Sequence, residues 1–417
     1  MNEAILQVRE IPQEVENNTT LEISTPDLGY FTHSFFKYPC KFIPQIPKWA
    51  MEKYTQKGDT ILDCFAGSGT TLVEAVLAER NAVGVDFDKL SNLLCDTKTV
   101  LLSNQEVNFI YQNLDSLFIK NNDLTLQLPD LHNLSHWFSE TNIENLAVLK
   151  ANILQIESLK IRNFLFVCFA SIIKKCSFTE EGSPKPYISS RFPKEPQNVK
   201  ESFKKVIDTS ISQYKKYPIA NLGTSKLIAQ DARNIDVPEY AEKIDLAITS
   251  PPYINAFDYV RSLRLENAWL GFFGDTNILE IKKQQIGTET VSSKQYSAKL
   301  PVTNIELLDE IINKIAITDR KRAYIVWKYF DDMQQNILAV KQLLKPDAHY
   351  IIVVGNSLIR EIEVPTHEIL IKIAEKQGFN LVNCFSYLIK NRYLRIPRGG
   401  KGGLIKKDWI IDLQKTN

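Results

Sequence analysis

Two short runs in this chain combine residue types and spacing that could do chemistry. Thr249-Ser250-Pro251-Pro252-Tyr253 directly follows the apolar run 244–248. Two successive prolines fix a stretched turn, and the second restricts its predecessor, which aims the carbonyls of Ser250 and Pro251 in defined directions. A hydroxyl, a directed carbonyl and an aromatic ring side by side suit an exocyclic amine on a flat ring. Such a nitrogen is a poor nucleophile, because its lone pair is delocalised into the ring. Two acceptors, the Ser250 hydroxyl and the Pro251 carbonyl, could orient its hydrogens and draw it toward tetrahedral geometry. Tyr253 would then stack on a base that has left its helix. The plainer alternative is a proline-rich loop with an aromatic plug.

The second run is Asp63-Cys64-Phe65-Ala66-Gly67-Ser68-Gly69-Thr70-Thr71. Glycines where a strand turns into a helix let the backbone approach a ligand and present the helix N-terminus to it. A turn that merely needs glycine would look the same, and the spacing departs from GxGxxG. Asp86, 23 residues after Asp63, ends the next strand, where a carboxylate can take both hydroxyls of a ribose. That points to a ribose-containing cofactor without choosing between a nicotinamide dinucleotide and a methyl donor.

The elements that must position these runs read as α/β. A buried strand is expected over 60–63, a tight loop over 67–71, a helix over 72–79 and a second strand over 82–85. The pattern resumes with strands at 226–231 and 244–249, a helix over 332–344 stopping at Lys345-Pro346, and an apolar strand over 350–354. Between them, Ile143, Leu146, Leu149, Ile153, Ile156 and Leu159 recur at helical spacing, and 162–175 continues as a more hydrophobic helix. Four prolines in 177–196 predict a long irregular loop. The expected organisation is a polar N-terminal arm (1–28), an α/β core (29–102 and 221–417) with an accessory segment near 260–320, and a mainly helical insertion (103–220). About 140 residues separate Asp86 from Asp231, where the fold needs only a helix and turns, so the insertion splits the sheet.

DCFAGSGTT, GVDFD and TSPPY, read together, resemble the DNA amino-methyltransferases, and SPPY is the form usual in the branch that methylates cytosine N4. The resemblance spans 33–86 and 226–259. It implies a Rossmann-like class I methyltransferase sheet and S-adenosylmethionine as cofactor. Asp63, Phe65, Gly67, Ser68, Gly69 and Thr70 would surround the methionine end, with Lys37 and Pro39 from the run 33–44 beside it. Asp86 would take the ribose and Asp231 the adenine. Ser250, Pro251, Pro252 and Tyr253 would handle the target base of double-stranded DNA. A restriction nuclease or another defence protein is an implied partner, and the insertion is a candidate target-recognition region. Cys64 stands where the family often has proline, a place a small buried filler can occupy. Adenine N6, or an RNA base, remains open as the acceptor.

With 50 basic and 49 acidic residues the net charge is +1, so any nucleic-acid surface must be local. The run 390–407 holds seven Lys or Arg and no acid; Arg392, Arg395, Arg398 and Lys401 among its glycines suit phosphate contacts, although a solvated hairpin would look alike. Lys185, Tyr187, Arg191, Phe192 and Lys194 form a weaker candidate. Asn255, Asp258 and Tyr259 either line a base pocket or begin a helix. No metal is expected: His132 and His136 lack partnering ligands, and the six cysteines form no CxxC pair. Without a signal peptide or an apolar run of membrane-spanning length, a cytoplasmic protein is expected.

Overall fold

The computed structural model describes residues 5–24, 28–122, 124–183, 185–217, 221–254, 258–274, 277–390 and 405–416. Eleven strands lie among them: β1 Ile5–Val8, β2 Thr20–Ile23, β3 Thr60–Asp63, β4 Asn81–Val85, β5 Ser225–Ala229, β6 Ile244–Thr249, β7 Leu344–Gly355, β8 Ser357–Ile359, β9 Ile362–Val364, β10 Phe379–Leu388 and β11 Lys407–Lys415. Nine form one sheet in the order β1-β2-β10-β11-β7-β6-β3-β4-β5, and β8 and β9 make a separate ribbon. Within the large sheet only β11 runs antiparallel to its neighbours, β10 and β7. The other pairings are parallel. The order reverses between β3 and β6, which creates a crevice at their carboxyl ends where open α/β sheets bind ligands. This is a Rossmann-like class I methyltransferase sheet.

Both faces of the sheet are covered, which is why its central strands read as unbroken apolar runs. Along β7, Ile351 and Val353 pack with Trp49, Met51, Leu72 and Ala75 on one face. Tyr350, Ile352 and Val354 pack on the other with Ile325, Phe330, Ile337 and Val340. The latter belong to the helix Arg320–Leu343, which begins twelve residues before the expected start at 332. Its charged first turn, Arg320-Lys321-Arg322, masks an apolar face of Ala323, Ile325 and Val326.

The described residues 5–24 are no free arm. β2 pairs with β10, Thr20 Oγ1 meets Ser386 Oγ at 2.9 Å, and Asn383 Nδ2 donates to the Val15 carbonyl at 2.6 Å. Polar composition hid these strands because each has only four residues.

Between β4 and β5 the chain runs through the helices Lys89–Lys98, Asn104–Asn113, Leu134–Trp137, Glu140–Leu154, Leu159–Ile173 and Val199–Lys215. Residues 177–196 carry no helix or strand among those described. Trp269, fully buried, packs edge-on to Phe138 and Phe169 at 5.6 and 6.2 Å. Ser171 Oγ donates to the Phe35 carbonyl at 2.7 Å, and Lys174 Nζ donates to the Ser262 carbonyl at 2.9 Å and pairs with Glu266 at 3.4 Å. These contacts tie the helical layer to the two segments, 31–42 and 259–270, that flank the crevice.

Candidate active site

A cavity of about 430 Å³ opens at the carboxyl ends of β3, β4, β5 and β6, a size typical of small-molecule sites. From the glycine loop, Phe65, Gly67, Ser68 and Thr70 line it, joined by Asp86 and Asp231. Ser250 and Pro252 form part of the same wall. The two runs singled out in the sequence, 186 residues apart, therefore face one space.

Asp63 makes that convergence possible from beneath. It is buried outside the lining; its Oδ1 accepts from Phe65 N at 3.0 Å and from Thr249 Oγ1 at 2.7 Å. One carboxylate thus braces the ends of β3 and β6. Oδ2 is buried with no hydrogen-bond partner among the described residues, and burial pushes the carboxyl pKa above its usual range.

Asp86 Oδ2 accepts from Gly67 N at 2.7 Å and Oδ1 from Asp88 N at 2.9 Å. Burial, with the Asp88 carboxylate adding to it, raises the Asp86 pKa to about 7. Asp88 caps the helix Lys89–Lys98, accepting from Leu90 N at 2.8 Å, and also takes Asn267 Nδ2 at 3.3 Å. Asp231 is held by Arg233, whose Nε and Nη2 each donate at 2.9 Å. The same guanidinium reaches Asp332 Oδ1 and the Gln284 carbonyl at 3.2 Å, so it draws the segment 284–286 onto the cavity wall.

Several expected positions lie elsewhere. Lys37 is exposed and Pro39 buried, both outside the lining, whereas Tyr38 and Cys40 between and beside them line it. The Tyr38 ring packs beneath Gly67, its hydroxyl meets Ser91 Oγ at 2.9 Å, and it stacks on Tyr259 at 6.1 Å. An aromatic ring suits this apolar contact, whereas the adjacent lysine turns to water. Gly69, Pro251 and Tyr253 also lie outside the lining. Tyr253 donates its hydroxyl to Asp408 Oδ1 at 2.6 Å. Of the flanking trio, Asp258 caps the helix Tyr259–Ser262 by accepting from Arg261 N at 2.9 Å, Tyr259 lines the cavity, and Asn255 lies outside the described residues. So do Arg392, Arg395, Arg398 and Lys401. In the weaker basic cluster, Lys194 Nζ is taken up by the carbonyls of Lys174 and Thr179.

Sequence reasoning missed Tyr38, Arg233, Asp408 and Lys98. Lys98 is buried and donates to the Ser68 carbonyl, supporting the loop from below; burial lowers its pKa to about 7. Its signal was a lysine in register with Leu90 and Leu94 on the inward face of a helix. Cys64 fills a buried place, with Sγ 3.3 Å from Tyr350 Oη; that hydroxyl donates to Asn336, whose Nδ2 reaches the Ala232 carbonyl at 2.8 Å.

A DNA methylase family model matches residues 3–91. The chain is 26% identical over 405 residues to Type II methyltransferase M.MvaI of Kocuria varians, covering 92% of this chain and 89% of that protein. Over 427 residues it is 25% identical to Type II methyltransferase M.BsoBI of Geobacillus stearothermophilus, covering 86% and 80%. The N-terminal part of the chain thus matches a DNA methylase family model, and most of its length is similar to Type II methyltransferases. Among solved structures, a SAM-dependent methyltransferase of Methanosarcina mazei is 10% identical with a TM-score of 0.34, covering 88% of this chain and 96% of its own. The cofactor is S-adenosylmethionine. The residues present fit it: the cavity has the volume, and Asp86 offers a part-buried carboxylate to hydroxyl donors.

The loop conformation itself generates a prediction. Gly69 has φ +74° at the start of the helix Thr70–Leu77, and a Cβ there would stand 3.2 Å from Cys95 Sγ. Gly69→Ala is expected to lower stability by about 1–2 kcal/mol from the left-handed backbone alone, and more if Cys95 cannot shift. An unchanged urea midpoint would show that the loop relaxes freely.

Proposed function

We propose that the chain is a site-specific DNA methyltransferase acting on the N4 amino group of cytosine in double-stranded DNA, with the target base flipped from the helix. The observation that carries this reading is that Ser250 and Pro252 share one cavity with Asp86 and the glycine loop. An amine-orienting loop and a ribose-binding carboxylate thus face the same space. Serine before the two prolines, the form usual in the N4 branch of the family, supports cytosine over adenine.

Asp86 would hold the cofactor's ribose hydroxyls, Asp231 its adenine, and Phe65, Gly67, Ser68 and Thr70 its methionine end. Asp63, from beneath, would fix the glycine loop. When bound, S-adenosylmethionine supplies a methyl group on a sulfonium. Ser250, whose hydroxyl has no partner among the described residues, would accept one hydrogen of the target amine, and the Pro251 carbonyl the other. Both acceptors gain strength as the nitrogen acquires positive charge, so they stabilise the transition state more than the ground state. Tyr253 would pack its ring on the base. No covalent enzyme intermediate is required. Because the relatives are Type II methyltransferases, a restriction nuclease is the proposed partner and the cytoplasm the proposed location.

The test is transfer of labelled methyl from S-adenosylmethionine to unmethylated bacterial genomic DNA, followed by nucleoside digestion and mass spectrometry. N4-methylcytosine is the expected product. N6-methyladenine would overturn the choice of base, and label found only in RNA would overturn the substrate class.

Ser250→Ala should leave cofactor affinity nearly unchanged and lower turnover by about 10²-fold, as loss of one oriented transition-state hydrogen bond does; a parallel fall in both would reject its assignment. Asp86 adds a pH dependence. Its free-state pKa is raised to about 7, and its ionised form is the better acceptor for ribose hydroxyls, so binding releases a proton as pH falls below that value. Affinity for S-adenosylmethionine should therefore weaken by about tenfold between pH 8 and pH 6, and Asp86→Asn should bind weakly with a flat profile. Calorimetric titration at both pH values reads this directly.

A further inference from the structure

Among the buried carboxylates that the mechanism above does not use is Asp408. It is the second residue of β11, which is separated from β6 by β7 alone, and is 6% exposed. Its Oδ1 accepts from Tyr253 Oη at 2.6 Å and its Oδ2 from Tyr387 Oη at 3.0 Å. Tyr387 is its cross-strand partner on β10, and Gly355 its partner on β7. A Cβ at Gly355 would stand 3.0 Å from Asp408 Oδ1 and 2.7 Å from Ile405 Cγ2. The neighbouring strand is thus bare where the carboxylate must reach across toward the loop.

A buried carboxylate is costly unless its lone pairs are taken. Here each oxygen has one phenol, and both phenols are themselves drawn out of water. Tyr253 is the last residue of the Ser-Pro-Pro-Tyr run and lies 155 residues from Asp408 in sequence. Pro251 and Pro252 set the direction in which its backbone leaves the strand, but they leave the ring free to rotate about its own side-chain bonds. Bonding at the phenol oxygen, the far end of the ring, removes that freedom.

We propose that Asp408 is a positioning residue for base capture: it clamps the Tyr253 hydroxyl so that the ring is already oriented when the flipped base arrives, and Tyr387 orients the carboxylate in turn. This rests on the reading of Ser250–Pro251–Pro252–Tyr253 as the amine-handling loop. The ring face, not the hydroxyl, would meet the base, so anchoring the hydroxyl does not compete with stacking. Misplacement of a base by a fraction of an ångström relative to its acceptors is enough to slow transfer.

The experiment uses the full chain and measures labelled methyl transfer to unmethylated genomic DNA, with S-adenosylhomocysteine titration giving the number of cofactor-competent sites. Asp408→Ala and Tyr253→Phe should each lower kcat per competent site by about tenfold to hundredfold, while the KM for DNA changes far less. The double variant should be no worse than the single ones, because both remove the same bond. Asp408→Asn retains an acceptor for Tyr253 and should recover most of the loss. Multiplicative effects in the double variant, or a loss confined to the number of competent sites, would overturn the positioning role and leave Asp408 as a fold residue. If the wild-type chain transfers no methyl group to DNA, the proposed function itself fails, and the clamp with it. Wild-type transfer with unimpaired Asp408→Ala overturns the clamp alone.

Discussion

The site depends on one buried carboxylate. Asp63 sits at the end of β3 and takes hydrogen bonds from the backbone of its own loop and from Thr249 at the end of β6. Parallel strands leave their carboxyl ends side by side, but nothing in a strand ladder sets how the loops beyond those ends are related. A shared acceptor does. It locks the turn into the glycine loop against the turn into the Ser-Pro-Pro-Tyr loop, and the space between the two is the cavity. The carboxylate is shielded from water, where its hydrogen bonds are strong and an unpaired lone pair is expensive.

Around that brace, parts of the chain remote in sequence close the remaining sides. The run 31–42 supplies Tyr38 beneath Gly67, and the helix Lys89–Lys98 supplies Lys98 beneath Ser68. Arg233 joins Asp231 to Asp332 and to the carbonyl of Gln284. The helical layer between β4 and β5 reaches the site through Ser171 and Lys174, each bonded to a segment that flanks the cavity. The candidate site residues are thus set by partners outside the proposed chemistry, as preorganised sites require.

The strands and the chemistry-bearing loops were legible because their physics is local. Buried parallel strands demand apolar runs such as those at 60–63 and 244–249, and a sharp strand-to-helix turn demands glycine. Gly67, Asp86, Ser250 and Pro252 stood out on such patterns, Phe65, Ser68, Thr70 and Asp231 through the family resemblance, and all eight line one cavity. Elements with weak local patterns were misread. The N-terminal strand β2 is held by a partner more than 360 residues away, and the start of the helix Arg320–Leu343 is charged although the face behind it is buried.

By itself the sequence determined which residue types could meet a ribose, a methyl donor and an exocyclic amine, and that an α/β sheet would carry them. Those demands are written in contiguous residues, and a reader of spacing can find them. Only the tertiary structure decided which side chains of each run face the cavity: Tyr38 rather than Lys37, and Asp63 below the loop rather than beside the ligand space. It alone brought Asp408 to Tyr253. The physical reason is that a side chain's direction follows from what is packed against it, and the packing partners here come from strands and helices hundreds of residues apart.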